Sequence, residues 1–197
     1  MCKTWLKTSL KVLYYMKVYV HTPPSILHAN ILHYAASFYG QVLLPVKHKR
    51  ITLHLYCQES MGDVEAETIW LDSNILPNEF EIRFSKKIKN NKRIIQTLAH
   101  EMVHIKQFAK GEMYDHMNAD TIRWKRNTYN LREMSYWDYP WEIDAYGREM
   151  GLYVRLKDKF NINDKELQYK LDDVYNKMLA SNVNIEPLSI VNEEEEL

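Results

Sequence analysis

His100, Glu101 and His104 stand in the run His-Glu-Met-Val-His. On a helix, residues four apart lie on one face, so the two imidazoles project side by side and can share one metal ion. Glu101 follows the first histidine on nearly the same face, within reach of a water held by that ion. Zinc that does chemistry takes three protein ligands and keeps a fourth position open, and this run supplies two of the three. A water held there loses its proton near neutral pH, with a carboxylate beside it to take the proton.

His-Glu-x-x-His is the short signature of zinc metallopeptidases. A pair of core histidines spells the same letters, so the surrounding segment decides. Ile94, Leu98, Met102 and Ile105 recur at helical spacing and form an apolar stripe, widened by Ile95 and Ala99. No Gly or Pro interrupts residues 91–109. Asn90 or Asn91 is a suitable N-cap and Gly111 a suitable stop. His100 and His104 fall on a different face, in line with Thr97 and Phe108. The spacing thus predicts a helix over 91–109 with one side for the core and one for a metal.

The chain has 197 residues, enough for one domain with an ordinary core. Lys plus Arg number 26 and Asp plus Glu number 26, so no global charge draws it to nucleic acid or an anionic membrane. Cys2 and Cys57 form no Cys-x-x-Cys pair. That speaks against a zinc knuckle or a disulfide framework and suits a reducing, cytoplasmic setting. Residues 1–15 are apolar with lysines every few positions, without the uninterrupted core of a signal peptide. They are read as an N-terminal extension, residues 16–182 as a single domain and 183–197 as a C-terminal tail with a solvated acidic end. No run approaches a membrane span.

Lys17 to His21 reads as a first strand. Pro23-Pro24-Ser25 opens a helix to Tyr39, stopped by Gly40, with Ile26, Leu27, Ile31, Tyr34 and Phe38 inward. His28 and His33 on it are unpaired and are not taken as ligands. Strands are expected at Val42–Val46, Arg50–Cys57, Ala66–Leu71 and Glu79–Ser85, the last alternating sharply. Glu79–Ser85 is the candidate edge at which an extended peptide adds as a further strand. The stretch from Gly111 to Tyr139 is irregular, with a small hairpin over 122–129 among aromatics and basic residues. Asp138 caps a helix with Pro140 in its first turn, placing Glu142, Ala145, Tyr146 and Glu149 on one face. Gly147 and Gly151 on that helix suggest a close helix neighbour. Asn163 to Glu166 has the form of a capping box opening a helix to Leu179.

Two histidines leave a third ligand to find. The metzincin continuation is excluded, because Gln107 and Lys110 occupy its Gly and His positions. Glu142, 38 residues after His104, and His116, 12 residues after it, are the two candidates.

The run His100 to Gln107, followed by Pro140-Trp141-Glu142-Ile143-Asp144-Ala145-Tyr146, resembles the small gluzincin-type zinc metallopeptidases, including uncharacterised families of phages and bacteria. In those a Pro-x-Glu-x-(Asp/Glu)-Ala helix carries the third ligand. The resemblance implies that Glu142 completes the site with His100 and His104, and that Asp144 orients a neighbour. It covers roughly residues 80–150. SprT-like proteases, second choice, take a downstream histidine, which favours His116. Their His-Gly-Pro continuation is replaced by His116-Met117-Asn118, and their zinc ribbon is missing.

The expected fold is α+β and zincin-like, a small antiparallel or mixed sheet of about four strands on the active-site helix, with a further glutamate-bearing helix. The expected function is zinc-dependent hydrolysis of peptide or protein substrates. Glu101 is the general base, and the oxyanion donor is one of Tyr146, Tyr136 and His116. The rivals are a zinc-stabilised binding module without turnover, a DNA-associated protease using Arg123 to Arg126, and a metal-free structural domain.

Overall fold

The computed structural model describes residues 16–21, 26–59, 61–116, 120–181 and 189–190. The expected extension at 1–15, the Pro23-Pro24-Ser25 opening and the acidic tail lie outside the described residues.

β1 (Lys17–Val20), α1 (Ile26–Leu43), β2 (Thr52–Gln58), β3 (Ala66–Trp70) and β4 (Glu79–Ser85) come first. Then follow α2 (Asn91–Ala109), β5 (Met113–Asp115), β6 (Thr121–Trp124) and β7 (Asn127–Asn130). α3 (Pro140–Phe160), α4 (Asp164–Tyr169), α5 (Leu171–Ala180) and β8 (Ser189–Ile190) complete the order. The class is α+β with a mixed five-stranded sheet, ordered β3-β4-β2-β1-β8, and a separate sheet of β5-β6-β7.

β1 and β2 are parallel, as are β2 and β4. A parallel pair needs a long crossover, and α1 supplies the one between β1 and β2. Val18, Val20, Leu53, Leu55, Phe80, Ile82 and Phe84 alternate onto one face and are buried. The other face shows stacked rings, His21 on Tyr56 and Tyr19 on His54.

Several expectations are corrected. α1 does not stop at Gly40, and Val42–Val46 is no strand: the helix runs to Leu43 and turns at 45–46. Gly40 serves instead as a point of close approach. A Cβ there would sit 2.7 Å from Met16 Sδ, so its bare backbone admits the buried methionine. Glu79–Ser85 is not an edge. It lies between β2 and β3, and Ala66–Trp70, antiparallel to it, is the edge strand instead.

α3 is capped at Tyr139, not Asp138, which lies in a 3-10 turn. Gly147 and Gly151 meet no neighbour: a Cβ at either would have nothing within 4 Å. The capping box is present, Asn163 accepting from the Glu166 N–H and Glu166 from the Asn163 N–H. The expected single helix after it is two, broken at Lys170, whose φ of −136° and ψ of 57° are not helical. The irregular stretch after Gly111 holds all three strands of the second sheet.

α2 keeps its expected bounds. The Asn90 side chain accepts the Arg93 N–H at 3.2 Å. At the other end Gly111 takes φ +67°, a left-handed turn that glycine adopts without strain, and donates to Phe108 O at 2.8 Å. Every residue from Ile95 to Ala109 is buried. One side packs on α1 and β4; the other crosses α3 in direct contact, and a cleft opens between that crossing and β3.

Candidate metal centre

The centre is built where α2 and α3 cross. His100 and His104 come from successive turns of α2, and Glu142 from the first turn of α3, where Pro140 at the first helical position aligns the entry. Trp141 and Ala145 are buried and seat that turn. The ligand atoms of His100, His104 and Glu142 all lie within 4.8 Å of one another. His100 Nε2 is 3.1 Å from His104 Nε2 and 3.2 Å from Glu142 Oε2; His104 Nε2 is 3.5 Å from Glu142 Oε1. Ligand atoms about 2.0–2.1 Å from a tetrahedral zinc stand roughly 3.3 Å apart, so these separations are those of a zinc-sized N,N,O set.

Of the two ring nitrogens turned away from the centre, that of His104 is hydrogen-bonded and that of His100 faces a carboxylate. His104 Nδ1 donates to Gln107 Oε1 at 2.9 Å, and Gln107 Nε2 donates to Trp141 O at 2.9 Å and Asp144 Oδ2 at 3.3 Å. Gln107 is fully buried. His100 Nδ1 lies 3.3 Å from Glu149 Oε2, an ionic contact outside hydrogen-bond alignment. Protons held at Nδ1 leave both Nε2 lone pairs pointing at the same spot. Two such lone pairs 3.1 Å apart repel unless a cation or a shared proton lies between them.

The electrostatics agree. Burial opposes charge on His100, but the Glu142 and Glu149 carboxylates outweigh it and hold its pKa up at about 9. His104 is raised in the same sense, burial being outweighed by Glu142 and Glu101. Burial favours a neutral Glu142, yet the two imidazoles and the Tyr136 hydroxyl, donating at 2.8 Å, hold it well below the usual carboxylate range. Without metal the pocket therefore attracts protons in its place.

Glu101 projects beside the cluster toward β3. Its Oε2 accepts the Thr68 hydroxyl at 2.7 Å. Burial pushes its carboxyl above the ordinary range, and the histidines and Thr68 pull partly back. A cleft of about 620 Å³ opens over the cluster, with Glu101, Thr68, Tyr136 and Tyr146 on its walls.

His100, His104, Glu101 and Glu142 are thus brought together as the sequence reading proposed. His116 is not: it is exposed, its ring against Tyr114, and outside the convergent set. Asp144 reaches the site through Gln107, and also binds Arg148 at 2.8 Å. The roles of Gln107, Glu149 and Thr68 escaped the sequence reading. Gln107 lies one turn beyond His104 and Glu149 two turns beyond Glu142, spacings that were available; Thr68 carries no local signal. Two of the hairpin cations lie over aromatics of the same sheet, Arg123 on Tyr114 and Lys125 on Trp124. Among the described residues no helix is long and apolar enough to cross a membrane.

No protein-family model matches the chain, and neither a curated protein nor a solved structure matches it.

Proposed function

We propose that this chain is a zinc-dependent peptidase with a gluzincin-type site on a zincin-like fold. The observation that carries the reading is the convergence of His100, His104 and Glu142 at zinc-like separations with Glu101 beside them at the floor of an open cleft. Among the described residues only these three side chains converge, which leaves a coordination position for chemistry.

Bound zinc would supply a Lewis acid and an acidified water in that position. His100 and His104 would hold it through Nε2, with Gln107 hydrogen-bonded to His104 and Glu149 beside His100, and Glu142 would add a negative charge. Glu101 takes the proton of the attacking water and later delivers it to the departing amine nitrogen, as the new carbon–oxygen bond forms and the peptide carbon–nitrogen bond breaks. Thr68 holds the Glu101 carboxylate toward the cleft. Tyr136 and Tyr146 line the same cleft; the Tyr136 proton is given to Glu142, which leaves Tyr146 as the hydroxyl suited to stabilise negative charge on the carbonyl oxygen. Edge strand β3 offers free backbone groups to an extended peptide.

Metal analysis tests the reading first. The purified protein is expected to carry one zinc per chain, to lose it on Glu142→Ala and to keep it on His116→Ala. Glu101→Gln is expected to keep zinc and abolish cleavage of a generic peptide pool. Zinc lost on His116→Ala would move the site to the SprT-like pattern. Full zinc without turnover on any peptide would favour the binding module.

A further inference from the structure

The β5-β6-β7 sheet carries one carboxylate, Asp115, that no side chain among the described residues engages in an ion pair or hydrogen bond. Side chains alternate along a strand, so Met113 and Asp115 share a face and Tyr114 takes the other. In the register Asp115 stands opposite Ile122, Met113 opposite Trp124, and Ile122 opposite Tyr129. That face is apolar: Met113 and Trp124 are buried, and Ile122 and Tyr129 pack against the core. Asp115 is half-buried beside them, and burial pushes its carboxyl above the ordinary range, with the neighbouring exposed His116 pulling only partly back. A carboxylate on an apolar face is costly unless something offsets it.

Its position points to what does so. Asp115, Met113 and Ile122 line the same cleft as Glu101 and His104. Phe108, one turn beyond His104, and Trp70, two residues beyond Thr68 on the edge strand, close the arm, their ring centroids 4.7 Å apart. A side pocket of about 140 Å³ continues past these residues. The arm therefore offers aromatic and thioether walls leading to one unpaired acid, which suits an aliphatic stem with a cationic tip. Elsewhere on the cleft rim Asp63, Glu65 and Glu67 add negative charge. Among the described residues the cleft's one cation besides its histidines, Arg93, is engaged by Glu65 and by Glu149 at 3.7 Å.

We propose that the cleft selects substrates through a lysine or arginine side chain whose stem lies along Trp70, Phe108 and Met113 and whose cationic head meets Asp115. The inference rests on the reading of this site as a peptidase and assigns its substrate class, basic peptides. The acidic rim would steer such chains inward and repel polyanions.

The test uses the full-length, zinc-loaded chain and matched fluorogenic peptides. They differ at one residue, lysine, arginine, norleucine or glutamate, scanned across the positions flanking the cut. At one position lysine or arginine is expected to exceed norleucine about tenfold in kcat/KM, and Asp115→Asn to bring that ratio near unity. Asp172→Asn, which removes the same charge on distant α5, is expected to leave the ratio as it was. Equal rates for lysine and norleucine at every position, or a ratio unchanged in Asp115→Asn, would overturn the proposal. If the zinc-loaded protein cuts none of the peptides, the peptidase reading has failed separately. The Kd of the same peptides by fluorescence anisotropy then decides. Tighter binding of the lysine peptide that is lost in Asp115→Asn supports a cation-selective cleft, and equal binding ends it.

Discussion

The buried side chain of Gln107 bridges His104 and Asp144, its carbonyl oxygen accepting from His104 Nδ1 at 2.9 Å and its amide nitrogen donating to Asp144 Oδ2 at 3.3 Å. This fixes the His104 tautomer with Nε2 bare, the state that binds metal. Gln107→Leu keeps the volume and removes the acceptor, so zinc affinity is expected to fall by about 10- to 100-fold. Competition with a chelator of known affinity measures it, alongside the melting temperature of the metal-free protein to separate folding from binding. Asp144→Asn acts at one remove and is expected to cost less. Unchanged affinity in Gln107→Leu would show that the amide does not set the ring.

Thr68 ties the edge strand to Glu101, the proposed base. Its hydroxyl sits 2.7 Å from Glu101 Oε2 and on no ligand of the cluster. Thr68→Val is therefore expected to leave zinc content intact and to lower kcat about tenfold, the scale of one hydrogen bond to a charged group. A change confined to a rise in KM would instead make Thr68 a substrate contact.

The elements that carry the chemistry were the most legible ones. α2 has a polar cap, an uninterrupted apolar stripe and a glycine stop, and Asn91–Ala109 was read to the residue. β4 was legible as a strand because Phe80, Ile82 and Phe84 alternate, but its place in the sheet was not. Alternation reports which side chains are buried, whereas the edge is decided by which strands flank it, and β2 pairs with β4 through a parallel ladder that leaves no local mark. Glu81, which alternates with that apolar row, is nevertheless buried, in an ion pair with Arg83. Val42 to Val46 failed for the opposite reason: its residues favour strands, but tertiary packing of Met16 against Gly40 carries the helix through. The candidate third ligand lay between Glu142 and His116 on spacing alone, since the crossing of α2 and α3, which brings Glu142 to the histidines, leaves no local mark.

His33 gives stability a pH dependence that the metal site does not share. It is buried in α1 with no hydrogen-bond partner at Nε2, and burial lowers its pKa from 6.5 to about 4. The unfolded chain thus takes up a proton near pH 6.5 that the folded chain refuses until about pH 4. Stability from this residue is complete above the unfolded value and is lost as pH falls between the two. Relative to wild type, His33→Leu is expected to gain stability progressively from pH 6.5 to 4, by at most about 3 kcal/mol. Urea unfolding of both proteins with chelator present, at a series of pH values, measures the difference. The site histidines are common to both and cancel. A difference independent of pH would mean that His33 is protonated in the folded state.

Gly147 and Gly151 make a contrasting case with Gly40. All three lie within helices, where glycine costs about 1 kcal/mol relative to alanine through backbone freedom in the unfolded chain. At Gly147 and Gly151 a new methyl group would meet nothing within 4 Å, and both positions face solvent. Gly147→Ala and Gly151→Ala are each expected to stabilise the fold by up to about 1 kcal/mol, with little effect on zinc affinity. At Gly40 the same methyl would lie 2.7 Å from Met16 Sδ and 3.2 Å from its Cε, inside the core. Gly40→Ala is therefore expected to destabilise by about 1–3 kcal/mol, the usual range for overpacking. Thermal unfolding of the three single variants checks both signs at once. Destabilisation at Gly147 or Gly151 would mean that another surface packs closely on α3 at those positions.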